Sequence, residues 1–160
     1  MKVVYAPNYH FPVTHEKTLY LAGGVAGCPD WQAEVIKALE KTSLTIFNPR
    51  RQTLLANMPE LVQSQREWEF GNITATRAVM FWFPKESLCP TTNFELGIIV
   101  AQQLWDFDTA PAYVGIHPEH PRRSDILAQL TMTVPRLVVA DSVKGVVQQV
   151  KNALKKGEIK

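Results

Sequence analysis

The chain has 160 residues, enough for one compact domain with a core of its own. Hydrophobic residues make up 46% and charged residues 20%, and 17 basic against 15 acidic residues leave a net charge of +2. That charge is too weak to point to nucleic acid or a membrane surface as a partner, and no apolar run approaches the roughly 18 residues of a transmembrane helix.

Met1 to Lys17 reads as an N-terminal extension outside the pattern that follows, with Val3 to Tyr5 as one short extra strand. "TLYLAGG" (Thr18 to Gly24) predicts a buried strand ending in glycines. From Pro29, the stripe Trp31, Val35, Ala38, Leu39 has helical spacing, and proline suits a first helical turn. "LTIFNP" (Leu44 to Pro49) is a strand stopped by Asn-Pro, and Pro59 to Thr76 a long helix. "AVMFWFP" (Ala78 to Pro84) shows no alternation, so both faces of this strand should be buried. Phe94 to Trp105 predicts a helix, Pro111 to Pro118 a strand, Ser124 to Leu130 a short helix and Pro135 to Ala140 the last strand. Asp141 or Ser142 caps a final helix running to about Lys156.

Five strands alternating with helices predict a doubly wound α/β fold, flavodoxin-like or Rossmann-like, with a five-stranded parallel sheet covered on both faces by helices. Residues 18–160 form the single domain. The N-terminus has no secretory pattern, and Cys28 and Cys89 form no CxxC pair, which suggests free thiols and a cytoplasmic protein.

Ligands of such sheets sit beyond the carboxyl ends of the strands, where the strand order reverses. The first strand is followed by Gly23 and Gly24, which let backbone approach a ligand or simply make a tight turn. The second is followed by Asn48, Arg50 and Arg51; the arginines suit a phosphate, or a brace to a neighbouring loop. The third leads through Cys89, Thr91, Thr92 and Asn93 to Glu95. Thr92 to Glu95 fits a capping box, with Glu95 in the first turn and kept ionised by the helix dipole; the same carboxylate over a sugar suits attack on an anomeric carbon. Glu69 shares a partly apolar helix face with Asn72, Ile73 and Thr76, either as a functional acid or as a solvated partner of Arg66 or Arg77. The four histidines show no zinc spacing.

"YLAGGVAGCPDWQ", "FNPRR", "WEFGNITATRAVMFWFP" and "TTNFELG" together resemble the nucleoside 2-deoxyribosyltransferase superfamily, in particular its 2-deoxyribosyltransferase-like branch, over about Thr18 to Val139. The resemblance implies a flavodoxin-like fold and cleavage of a deoxynucleoside N-glycosidic bond by a glutamate nucleophile. That glutamate falls on Glu95, the first-strand tyrosine on Tyr20, and the upstream acid on Glu69, where the family's transferases carry Asp. Gly23, Gly24, Asn48, Arg50, Arg51, Cys89, Thr91, Thr92 and Asn93 are the candidate substrate contacts. The chain departs from the pattern at Cys89, where transferases carry Asp and related nucleotide hydrolases a phosphate-binding Ser. It departs again between His117 and Ser124, which lacks the Asn that the family contributes to a neighbour's site. The expected reaction is transfer of the 2-deoxyribosyl group to another base. The alternatives are hydrolysis of a deoxynucleoside 5′-monophosphate, and a non-catalytic nucleotide-binding module. No metal or other cofactor is expected. The partners are a nucleoside or nucleotide and further copies of the chain, as a homodimer or higher homo-oligomer, because Leu96 to Ala101 is apolar at nearly every position.

Overall fold

In the computed structural model, which describes residues 1–13, 15–51, 59–105 and 110–159, the elements run β1 (Lys2–Tyr5), β2 (Thr18–Gly23), α1 (Trp31–Leu39), β3 (Thr45–Asn48), α2 (Pro59–Ala75), β4 (Val79–Phe83), α3 (Pro90–Trp105), β5 (Ala112–Ile116), α4 (Arg123–Thr133), β6 (Val139–Ala140) and α5 (Val143–Lys156). All strand pairs are parallel, in the order β1-β3-β2-β4-β5-β6. The predicted doubly wound fold is present, with six strands in place of five. The sixth is β1, which pairs with β3 from Lys2 opposite Thr45 to Tyr5 opposite Asn48. Without it the order is that of a flavodoxin-like sheet.

Residue parity along the strands divides the core. Tyr20, Ala22, Phe47, Val79, Phe81 and Phe83 point to one face, where α2, α3 and α4 cover them with Trp68, Ile73, Leu96, Ile99, Val100, Ile126 and Leu130. Leu19, Leu21, Ile46, Met80 and Trp82 point to the other, against Trp31, Val35 and Leu39 of α1 and the valines of α5. All five residues of β4 are buried, which is why its sequence shows no alternation. Two caps behave as simple chemistry dictates. Asp30 accepts from Ala33 N (3.0 Å) ahead of α1, and Ser142 accepts from Gly145 N (3.1 Å) ahead of α5.

Three elements differ from expectation. The last strand contracts to Val139–Ala140. The helix predicted at Ser124 to Leu130 extends to Arg123–Thr133. Most important, α3 begins at Pro90, four residues before its predicted start. Proline at the first helical position loses no hydrogen bond and has its φ already set, and this outweighs the local capping signal at Thr92.

Candidate active site

The strand order reverses between β2 and β4, so the loops leaving these two strands lie side by side. Their contact is tight. A Cβ added at Gly23 would lie 2.3 Å from the Trp82 carbonyl oxygen, and one added at Gly24 2.7 Å from Pro84 Cγ, 2.9 Å from Cys28 Sγ and 3.2 Å from Cys89 Sγ. Trp31 Nε1 donates to the Gly24 carbonyl at 2.8 Å. Both glycines therefore let protein approach protein at this point. Cys89, buried and with φ of 49°, occupies the position just before α3, and burial raises its thiol pKa.

With α3 starting at Pro90, Glu95 falls in the second turn, beyond the reach of a capping box. Its side chain lines a cavity of about 130 Å³ between α2 and α3. Glu69 of α2 lines the same cavity, together with Ile73, Ile98 and Ile99, and the exposed rings of Phe70 and Phe94 flank it. Thr91 is also present, and Arg66 is exposed beside Glu69. The structure thus brings together Glu69, Glu95 and Thr91, and Tyr20 lies fully buried against Trp68, within electrostatic reach of both acids.

Two acids in apolar surroundings hold protons tightly. Burial, and then the Glu69 charge, push the Glu95 pKa up to about 8. The helix dipole expected to keep Glu95 ionised is outweighed, because the residue is past the first turn and desolvated. Burial also raises Glu69, opposed by a hydrogen bond from Gln65 and by the charges of Arg51 and Arg66. Burial and the two acids raise Tyr20 well above the ordinary phenol value.

The other candidates lie elsewhere. Arg50 donates to Gln32 Oε1 (3.0 Å) and to the carbonyls of Cys28 (3.4 Å) and Pro29 (3.0 Å), and pairs with Asp30 at 3.3 Å. It braces the loop after β2. Asn48 is buried and accepts from Arg50 N at 2.9 Å. Arg51 is bound to α2 through Gln65, Ser64 and the Leu61 carbonyl. Thr92 is buried, and Asn93 donates to the carbonyls of Leu88 (3.1 Å) and Cys89 (3.0 Å). Asn93 faces a larger cavity of about 630 Å³ between α3 and α4. Its acid, Asp125, is paired with Arg122 at 2.6 Å. Of the two cavities, only the smaller one is lined by two of the candidate acids, Glu69 and Glu95, and it lies beyond the reversal of strand order.

The family described as "Nucleoside 2-deoxyribosyltransferase like" matches residues 16–104, more than half of the chain. The chain belongs to this family. The matched stretch contains β2 through nearly all of α3, and so Tyr20, Glu69 and Glu95. A glycosyl-transfer or glycosidase role follows for an enzyme of the nucleoside deoxyribosyltransferase type. No curated protein matches the chain. Among the described residues, no helix is long and apolar enough to cross a membrane.

Sequence reasoning named Arg66 only as a solvated partner of Glu69, and missed Gln65, Phe70 and Phe94 at this site. Gln65 had a signal available, since it falls four residues before Glu69 on α2.

Proposed function

We propose that this family member cleaves the N-glycosidic bond of a 2-deoxynucleoside through a covalent intermediate on Glu95 and passes the 2-deoxyribosyl group to another base. The observation that carries this reading is the pair of acids, Glu69 and Glu95, on one apolar cavity beyond the reversal of strand order. An acid to take the sugar and a second to manage the proton of the base are the groups this chemistry requires.

In the first half, a Glu95 oxygen bonds to C1′ as the C1′–N bond breaks, and the base leaves with the electron pair and a proton from Glu69. In the second, a nitrogen of the incoming base attacks C1′, the ester to Glu95 breaks, and Glu69 takes the proton released. A Glu95 pKa of about 8 means that the empty site carries a proton near neutral pH. Delivering that proton to the leaving base by way of Glu69 leaves Glu95 anionic for attack. Tyr20 orients Glu95 or the sugar, and Thr91 contacts the substrate. Phe70 and Phe94 suit a stacked base, and the isoleucines exclude water, which favours transfer over hydrolysis.

The engagement of Arg50 and Arg51 with protein groups supports a nucleoside over a monophosphate. Arg66, exposed at the cavity, keeps a 5′-monophosphate as the second reading. In this proposal the active unit is a homodimer or larger. The outer side of α3 leaves Phe94 71% and Leu104 50% exposed, since the N-terminal extension pairs with β3 through β1 and then reaches α2, where Trp68 donates to the Asn8 carbonyl, without covering them.

The test is incubation with a panel of nucleosides and monophosphates, with and without an acceptor base, and identification of products by mass. An exchanged nucleoside is expected. Free sugar would replace transfer by hydrolysis, and tight binding without product would replace the enzyme by a binding module.

A further inference from the structure

We propose that Gln65 and Arg51 are positioning residues for Glu69, Arg51 locking the orientation of the Gln65 amide and that amide fixing the Glu69 carboxyl. The inference rests on the role given to Glu69 above. Gln65 is buried, one turn before Glu69 on α2. Its Nε2 donates to Glu69 Oε1 at 2.7 Å and to the Pro49 carbonyl at 2.9 Å, and its Oε1 accepts from Arg51 Nε at 2.5 Å. Arg51 is itself held, donating through Nη2 to Ser64 Oγ at 3.0 Å.

A glutamine amide has one accepting oxygen and one donating nitrogen, so its two orientations are chemically distinct. Turned over, its oxygen would face two acceptors, the Glu69 carboxyl and the Pro49 carbonyl, and its nitrogen would face the Arg51 guanidinium. All three neighbours select the orientation present. Removing Arg51 removes the only one of the three that pulls on the oxygen. Glu69 then loses a fixed donor on Oε1, and Oε2, the oxygen left for the proton of the base, loses its aim. The loop after β3 is in this way wired to the acid on α2. The charged and titratable groups facing Glu69 are Arg66 on the same helix, Arg51 from the loop, Glu95 from α3 and Tyr20 from β2.

The test is a titration of the ligand-free full chain carrying ¹³C-carboxyl glutamate, with the Glu69 signal assigned by its loss in Glu69→Gln. Gln65→Met and Arg51→Met should each move the Glu69 midpoint upward, because each withdraws stabilisation from the anion. Arg51→Lys, which keeps the charge and a donor, should stay close to the unmutated chain. In the Gln65→Met background Arg51→Met should add only the direct effect of its charge, a smaller shift than in the unmutated background. If Gln65→Met does not fold, Gln65→Asn replaces it, since the shorter amide cannot span Arg51 and Glu69. An unchanged Glu69 titration in the Gln65 variant would overturn the proposal. So would an equal effect of Arg51→Met in both backgrounds, since that is direct electrostatics without the amide. In turnover, kcat should fall about tenfold in either variant, the size of one charge-assisted hydrogen bond, with KM little changed. The titration needs no substrate. A chain inactive on every nucleoside but with the expected titration would refute the reaction while leaving the relay standing.

Discussion

Glu95→Gln keeps the size of the side chain and removes both its charge and its nucleophilic oxygen. Burial and the Glu69 charge raise the Glu95 pKa from 4.5 to about 8. The unfolded chain therefore gives up this proton near pH 4.5, while the folded chain keeps it to about pH 8. Across that window the folded state binds more protons, so its stability falls as pH rises. One proton corresponds to about 1.4 kcal/mol per pH unit, so between pH 6 and pH 8 the unmutated chain loses about 2 kcal/mol that the glutamine variant retains. For a chain of this size that is a difference of about 4–8 °C in Tm. Thermal unfolding of both proteins at a series of pH values isolates Glu95 and the groups coupled to it, because the titrating groups that do not sense its charge cancel in the difference. The variant should be the more stable at pH 8, bind nucleoside, and lose turnover by about a thousandfold or more. Parallel stability curves would show that Glu95 ionises normally in the folded chain and refute the burial argument. Retained turnover would refute its role as nucleophile.

Arg50→Ala should cost about 1–3 kcal/mol of stability, because it breaks the brace to the Cys28 and Pro29 carbonyls, and should leave the preference between nucleoside and monophosphate unchanged. A selective loss of monophosphate binding would return Arg50 to the substrate. Glu16 accepts from Thr45 Oγ1, Val13 N and His10, and its pKa is lowered to about 2. Its folded-state pKa lies below the unfolded one, so the stabilisation is present above pH 4.5 and lost as pH falls toward 2. Glu16→Gln should be less stable than the unmutated chain by about 1–3 kcal/mol at neutral pH and match it near pH 2; a difference independent of pH would contradict this. Light scattering across a dilution series, with activity followed in parallel, should show an oligomer whose dissociation lowers activity per chain, and a fully active monomer would overturn the proposed assembly.

The sheet was legible because burial on both faces leaves an unbroken apolar run. Val79–Phe83 has no position at which a polar residue would be tolerated, and the sequence says so directly. The edges carried less information. Lys2–Tyr5 has one fully buried residue, so only a short strand beside turn residues was visible, and its pairing with β3 depends on where the edge of the sheet falls. At the other edge Pro135 to Val138 read as strand from its apolar content. Only Val139 and Ala140 pair with β5.

The candidate site was legible in the two acids that come to share a cavity, and less so in what surrounds them. Glycines, arginines and amides at strand ends suit a ligand, and they equally suit the packing of one loop on another. Sequence alone does not distinguish these uses, because the difference lies in which partner arrives. Gly23 meets the Trp82 carbonyl, Arg50 meets Cys28 and Pro29, and Arg51 meets Gln65. In each case the fold supplies the complement. Glu69 and Glu95 differ in kind. The fold places them in one apolar cavity where each raises the proton affinity of the other or of Tyr20, and among the described residues neither joins a salt bridge. Such a pair is costly to desolvate, and in the proposed reaction the cost is relieved when one acid gives its proton to a leaving base and the other bonds to carbon. Glu69 keeps one protein donor, Gln65, whereas the capping role expected of Glu95 disappears once α3 begins at Pro90, so of the two acids Glu95 is the one whose place the fold explains least and the proposed reaction explains best.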